Sequence, residues 1–147
     1  MFQKKSLLSK QAIFYLYQQF VTESLHQGLP VQNSLNQSQI DLVFSIMQQA
    51  NNTVFGLKLY PTFYHKIAFI LFEIIKKHIF VDGNKRFALL LTVYLLENLT
   101  FEKWTISRED LEMLVMRVAS DTHYTLDDAR AFLKLKLKIL KKRSFYG

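Results

Sequence analysis

A single nine-residue stretch of the sequence, residues 78–86, combines side chains that could do phosphate chemistry. It reads HIFVDGNKR and lies between two apolar runs. An imidazole can act as a general base near neutral pH, and a carboxylate is an oxygen ligand suited to Mg²⁺. Lysine and arginine both bind phosphates, the first as a point charge and the second as a planar fork. A solvated loop would not need this whole set, so we interpret the stretch as a functional site.

The helix that follows this stretch favours an anion site. Residues 87–97 are almost wholly apolar and predict a helix. The free N–H groups at its start would then face the same place as Lys85 and Arg86. Gly83 would let the backbone approach a ligand closely or adopt a conformation that other residues avoid, and the Asn84 amide can donate or accept.

The stretch resembles the signature of the Fic/Doc (Fido) family, His-x-Phe-x-Asp/Glu-Gly/Ala-Asn-Gly/Lys-Arg, and every position of that signature is met. Members of this family transfer a phosphate-containing group from a nucleotide onto a hydroxyl of a target protein. The resemblance implies that His78 takes the proton from that hydroxyl and that Asp82 holds Mg²⁺ on ATP or another nucleoside triphosphate. It also implies that the nucleotide phosphates are bound by Gly83, Asn84, Lys85 and Arg86, with Arg86 stabilising charge during transfer.

Two positions separate the branches of the family. AMP-transferring Fic proteins typically have Gly where this chain has Lys85, and a second Arg where it has Leu89. Both departures resemble Doc, which transfers a phosphate, whereas Gly83 departs the other way because the phage Doc protein has Ala there. We therefore expect a Doc-like phosphate transfer, with Fic-type AMP transfer (AMPylation) as the alternative. A non-catalytic adaptor is a second alternative, and the intact motif argues against it.

The Doc resemblance also implies partners. It is typical of a toxin that modifies a translation factor such as elongation factor Tu. Fic proteins often carry an inhibitory helix with the pattern Ser/Thr-x-x-x-Glu-Gly/Asn, but here Glu97-Asn98 has Val93 at the hydroxyl position. The resemblance therefore implies a separate antitoxin of the Phd type, whose acidic tail would meet a basic surface.

Composition narrows the class of protein. A length of 147 residues, half of them hydrophobic, predicts a single domain spanning residues 1–147 with one core. The absence of cysteine excludes disulfides and Cys-ligated metals, and no targeting segment or membrane-spanning run is visible, so we expect a cytoplasmic protein without a membrane partner. The net charge of +7 alone would permit nucleic acid, acidic membrane or an acidic protein as partner. No DNA-reading motif accompanies that charge, which disfavours nucleic acid.

Hydrophobic periodicity predicts an all-α bundle, and the resemblance implies that it is of the Fic/Doc type. The fourth predicted helix is apolar on nearly every side, which predicts that it is buried all round. The last one is expected to continue into a basic tail that includes Lys138, Lys141, Lys142 and Arg143. Thr62 and Ser107 are expected caps. The predicted helices run over residues 9–26, 38–50, 62–77, 84–98, 107–119 and from 125 onward.

Residues 51–60 are the convincing β-like segment before the motif. The residues alone leave an ordinary loop equally open. The resemblance favours a flap that holds an extended target segment by strand addition. The residues expected to bind the target in this way are Val54, Phe55, Gly56, Leu57, Lys58 and Leu59.

Overall fold

A computed structural model describes residues 8–54, 56–98 and 104–139. Within these residues the chain is all-α, as predicted, with two very small two-stranded antiparallel sheets. The helices are α1 Lys10–His26, α2 Gln37–Gln49, α3 Phe63–Lys76, α4 Asn84–Asn98, α5 Arg108–Ser120 and α6 Leu126–Lys136. The strands are β1 Thr53–Val54, β2 Leu57–Lys58, β3 Trp104–Thr105 and β4 Lys138–Ile139.

Side-chain caps fix where the helices begin. The hydroxyls of Ser9, Thr62 and Ser107 each accept a backbone N–H from the first turn of the helix that follows, as expected of Ser and Thr at this position. Helix α2 begins slightly before the predicted residue 38 because Asn36 forms a reciprocal capping box with Gln39. Local sequence therefore determines the helix starts.

Helix α3 lies at the centre of the bundle and packs against α2, α4, α5 and α6. Four aromatic rings lie between α1, α4 and the motif stretch, with Phe80 5.0 Å from Tyr17 and 5.1 Å from Phe87 between ring centroids. Phe20 completes the cluster. Phe80 is almost fully buried, so it points inward and anchors the motif.

The prediction that the last helix continues through the basic tail is wrong. Helix α6 ends at Lys136, and the next residue, Leu137, has extended backbone and is buried. Strand β4 then pairs with β3, with Trp104 opposite Ile139. A distant pairing partner therefore ends the helix, while Lys141, Lys142 and Arg143 lie outside the described residues.

The prediction that α4 is buried all round is also wrong. Its residues Phe87, Ala88, Leu91 and Leu95 are buried, but Leu89 and Leu90 are only partly so. Val93 is 38% exposed. The reason is that α1 and the start of α5 do not close over this side of the helix, and a cavity remains there.

The predicted flap is a hairpin. Strands β1 and β2 pair with Thr53 opposite Lys58, and Gly56 occupies the turn with φ +78°. Phe55 and the side chain of Val54 lie outside the described residues. At the base of the hairpin, the buried ammonium of Lys66 on α3 donates to Ala50 O at 2.8 Å and to Asn51 Oδ1 at 2.9 Å. These bonds connect α3 to the end of α2, where the flap begins.

No helix in the described part of the chain is both long and apolar enough to cross a bilayer.

Candidate functional site

The motif stretch forms the turn between α3 and α4. Helix α3 ends at its cap Lys77, and His78 then takes the left-handed conformation with φ +47°. A non-glycine residue in this region costs about 1–3 kcal/mol and persists only when its surroundings enforce it. The backbone strain therefore falls on the residue that the sequence predicts to be the base.

His78 opens onto a cavity of about 320 Å³. Its imidazole is exposed rather than packed inward. The volume lies near the lower end of the range for small-molecule sites, about 300–1,000 Å³. The lining is polar at the motif and closed on one side by α3 and α5. The cavity is lined by Ile75, His78, Val81, Asp82, Gly83, Asn84, Lys85 and Ala119.

Asn84 fastens the motif to the start of α4. Its side chain is buried, and Oδ1 accepts the Phe80 N–H at 2.9 Å while Nδ2 donates to Phe80 O at 2.8 Å. Nδ2 also lies 3.4 Å from His78 Nδ1, a long contact that orients the ring without binding it strongly. Asn84 thus fixes the shape of the loop through Phe80.

Two features of the turn favour glycine at position 83, namely its φ of +90° and the lack of space for a Cβ. Its carbonyl also accepts the first helical hydrogen bond of α4, from Phe87 N–H at 2.8 Å. A Cβ at this position would lie 3.0 Å from Phe20 Cζ in the aromatic cluster. The N–H groups of the first turn of α4 have no intrahelical acceptor, so they offer donors to an anion in front of the helix.

Asp82 is exposed and has no hydrogen-bond or ion-pair partner among the described residues. Across the same residues, no group of three or more His, Asp or Glu side chains could hold a metal ion by itself. A lone carboxylate fits Mg²⁺, which commonly takes one or two protein carboxylates together with substrate phosphates and water. The donor set therefore suits a metal that arrives with a nucleotide.

Arg86 is turned away from His78. Its guanidinium donates to Ser24 Oγ at 2.8 Å and to the Pro30 carbonyl, and it lies 5.4 Å from the Phe20 ring centroid. It lines a second cavity of about 510 Å³ between α1 and α4, together with Leu89, Leu90, Val93 and Arg108 among others. The structure brings Lys85 to the His78 cavity but places Arg86 in the neighbouring one.

Two glutamines outside the motif stretch contact its backbone. Gln39 Nε2 donates to Ile79 O at 2.9 Å, and Gln32 Oε1 accepts the Val81 N–H at 3.1 Å. The Asn36-x-x-Gln39 capping pattern could have indicated how Gln39 is oriented. Nothing in the sequence singles out Gln32.

Tyr17 supports this region from beneath. Its hydroxyl donates to Gln32 O at 2.6 Å, and burial raises the pKa of Tyr17 to about 12, against the opposing charge of Arg86. The pKa of Tyr17 is higher in the folded chain than its value of 10.0 in the unfolded chain, so the neutral phenol contributes stability that is fully present below pH 10. This contribution is lost as pH rises from 10 toward 12.

Tyr17→Phe should therefore flatten the alkaline fall in stability. The rise in pKa corresponds to roughly 3 kcal/mol between pH 10 and 12. Urea unfolding at pH 8, 10 and 12 would measure it, with the variant losing about 1 kcal/mol at pH 8 through the missing hydrogen bond. The pKa values of Tyr60 and Tyr124 are also raised by burial, so part of the slope remains. If the free energy of unfolding of the variant fell with pH as steeply as that of the unaltered protein, the raised pKa could not be assigned to Tyr17.

Comparison with known proteins agrees with the motif and the fold. The family model described as the Fic/DOC family matches residues 7–96, which include α1 to α3, the flap, the motif and most of α4. The chain belongs to the Fic/DOC family. This family is one of transferases that move a nucleotide or a phosphate. No curated protein and no solved structure gives a significant match.

Proposed function

We propose that this protein transfers the γ-phosphate of a nucleoside triphosphate onto a hydroxyl of a target protein, in the manner of Doc. The observation that carries the proposal is the shared cavity. An exposed imidazole, a carboxylate without a partner among the described residues, a lysine and the start of α4 all line the same space. Phosphoryl transfer needs positioning and charge stabilisation rather than covalent catalysis, and this arrangement supplies both.

In the proposed reaction, His78 accepts the proton of a Ser, Thr or Tyr hydroxyl on the target. The hydroxyl oxygen forms a bond to the γ-phosphorus as the bond from that phosphorus to the bridging oxygen breaks, and the nucleoside diphosphate leaves. The imidazolium then releases its proton to solvent. The strained backbone at His78 is held by the loop contacts, so the ring is positioned before substrate arrives.

The phosphates would be held by the N–H groups at the start of α4 and by Lys85. Mg²⁺ bound with ATP would neutralise part of their charge, and Asp82 is the residue that would hold it. Arg86 would contact the phosphates after exchanging its neutral acceptors, Ser24 Oγ and Pro30 O, for phosphate oxygens. Phosphate oxygens carry negative charge, which the Ser24 hydroxyl and the Pro30 carbonyl do not, and they can bind the planar guanidinium through two parallel bonds, so they would compete for Arg86.

Lys85 and Leu89 favour phosphate over AMP as the transferred group. The place of the second arginine in AMP-transferring Fic proteins is taken by Leu89, which lies on the larger cavity and offers no charge to a phosphate. Lys85 instead adds a cation at the cavity that contains His78. The combination of Leu89 at one cavity and Lys85 at the other favours an ATP orientation in which the γ-phosphorus faces the imidazole. AMP transfer by the same His78 remains the alternative.

The target would bind along the flap. Among the described residues, β1 and β2 pair only with each other, so each strand offers an outer edge to which an extended segment can add by main-chain hydrogen bonds. Leu57 is 75% exposed, and Leu59 is exposed as well, which would give such a segment apolar contacts. We propose a cytoplasmic translation factor such as elongation factor Tu as the target.

We also propose a separate antitoxin of the Phd type. The inhibitory pattern is missing at Glu97-Asn98, and the charge of +7 favours an acidic partner. Arg86 and Arg108 lie at the larger, mostly apolar cavity, where they outnumber its one acidic residue, Glu23, so an acidic amphipathic segment would find both charge and apolar contact. Such a segment would compete for Arg86.

Intact-mass analysis tests which group is transferred. Elongation factor Tu incubated with the protein, ATP and Mg²⁺ should gain about 80 Da, the mass of one phosphate, whereas AMP transfer would add about 329 Da. Label should follow from γ-³²P-ATP and not from α-³²P-ATP. Label only from the α position would overturn the phosphate proposal in favour of AMP transfer. No ATP binding at millimolar concentration would favour the adaptor.

A further inference from the structure

We propose that Gln32 and Gln39 are positioning residues, and that their paired amides clamp the motif backbone on both sides of Phe80 and thereby hold His78 in its working conformation. We call this pair the glutamine clamp. Its catalytic consequence rests on the proposed transferase function, whereas its effect on the loop can be measured without any activity.

The clamp has a closed hydrogen-bond geometry. Gln32 Nε2 donates to Gln39 Oε1, and Gln39 Nε2 donates to Gln32 Oε1 at 3.0 Å, so the two amides form a reciprocal pair. Each amide also reaches the motif, Gln39 through Ile79 O at 2.9 Å and Gln32 through the Val81 N–H at 3.1 Å. Both glutamines are half-buried, which limits competition from water.

The remaining contacts fix which end of each amide is the donor. Gln39 Oε1 accepts the Asn36 N–H at 3.1 Å, so Nε2 must face Ile79 O. Gln32 Nε2 donates to Ser34 O at 2.8 Å, so Oε1 must face Val81. Backbone N–H and C=O groups cannot exchange roles, and the orientation of both amides is therefore determined.

The clamp lies next to the strained residue, His78. His78 directly precedes Ile79 and has φ +47°, a conformation that its surroundings must enforce. Asn84 holds Phe80 from the α4 side, and the clamp holds the residues on either side of Phe80 from the α2 side. Together these contacts leave the loop little freedom to relax.

Gln39→Glu separates the clamp from helix stability. Residue 39 is the third residue of α2, where glutamate forms a capping box with Asn36 and interacts favourably with the helix dipole. The substitution should therefore keep the start of α2 intact. A carboxylate has no N–H, however, so the bonds to Ile79 O and Gln32 Oε1 are lost, and one oxygen would face Ile79 O and repel it. We expect only the modest fall in the unfolding midpoint that these lost bonds account for, and a loss of rate beyond that fall is the signature of a positioning role.

The experiment measures transfer kinetics and loop protection in the full-length protein. Gln39→Glu should lower kcat about 10- to 100-fold with little change in KM for ATP, because the base is misplaced rather than the nucleotide site lost. Amide hydrogen exchange at residues 79–81, followed by NMR, should accelerate about tenfold or more. Gln32→Met, which is similar in length but has no amide oxygen, removes the acceptor of the Val81 N–H and should change both in the same direction. Gln48→Glu is the control, since it adds the same charge at an exposed position of α2.

The possible results of these measurements test the glutamine clamp and the proposed transferase function separately. Faster exchange in the variant with no transfer by the unaltered protein would support the clamp and overturn the transferase. Transfer by the unaltered protein with kcat and exchange both unchanged in Gln39→Glu would overturn the clamp. A fall in kcat with unchanged exchange would also overturn it, as would an equal fall in Gln48→Glu.

Discussion

His78→Asn should abolish phosphate transfer while the protein stays folded and still binds nucleotide. An asparagine carboxamide cannot accept a proton as an imidazole does, and general base catalysis contributes about 100- to 10,000-fold in rate. Asparagine is the suitable replacement because His78 has φ +47°, a conformation that Asn tolerates better than most residues. Alanine would confound the loss of the base with added backbone strain.

Three measurements separate the chemical role of His78 from a structural one. The transfer rate should fall at saturating ATP, the affinity for ATP with Mg²⁺ should change little, and the thermal midpoint should remain close to that of the unaltered protein. His123→Asn is a matched control at an exposed histidine in the turn before α6. Transfer by His78→Asn within tenfold of the unaltered rate would remove His78 from the mechanism.

The parts of the site that the sequence predicts are those fixed by neighbours along the chain. His78, Asp82, Gly83, Asn84 and Lys85 line one cavity because a tight turn and a helix start bring them together. The cap at Ser9 and the inward position of Phe80 follow from equally local patterns. Apart from the end of the last helix, the helix boundaries were predictable to within a residue or two for the same reason.

The parts that the sequence does not predict depend on contacts made far along the chain. The direction of Arg86 is set by Ser24 and Pro30, which lie 62 and 56 residues earlier in the chain. Gln32 lies 49 residues before its partner Val81, so no spacing rule would join them. Strand β4 exists because β3 is available to pair with it, which overrides the basic, helix-compatible sequence after Lys136.

The difference between local contacts and contacts distant along the chain also explains how the roles within the site are divided. Local sequence supplies the chemical groups on one turn, while α1, α2 and the connection between them supply the contacts that hold the turn in its strained form. Functional groups on a loop gain precision when rigid neighbours fix the loop backbone. Variants in the supporting helices should therefore affect the rate even though they do not touch substrate.

Phe80→Ala should produce the largest loss of stability among the motif residues and should also reduce transfer. Phe80 is 1% exposed, and its ring packs against Tyr17 and Phe87 at 5.0 and 5.1 Å between centroids. Truncating a buried phenylalanine costs about 3–5 kcal/mol because a cavity remains. Losing the ring also removes the anchor that keeps the motif backbone against Asn84, so the His78 conformation would relax. Urea unfolding and transfer assays would measure the two effects.

A control that costs similar stability elsewhere isolates the effect on the site. Leu133→Ala on α6 removes a fully buried side chain away from the motif and should cost about 2–5 kcal/mol. Assayed well below both thermal midpoints, it should retain transfer, whereas Phe80→Ala should lose at least tenfold. Phe80→Leu fills most of the cavity and should recover both stability and rate in part. Equal losses of transfer in Phe80→Ala and Leu133→Ala would mean that global stability, rather than the anchored loop, limits the reaction.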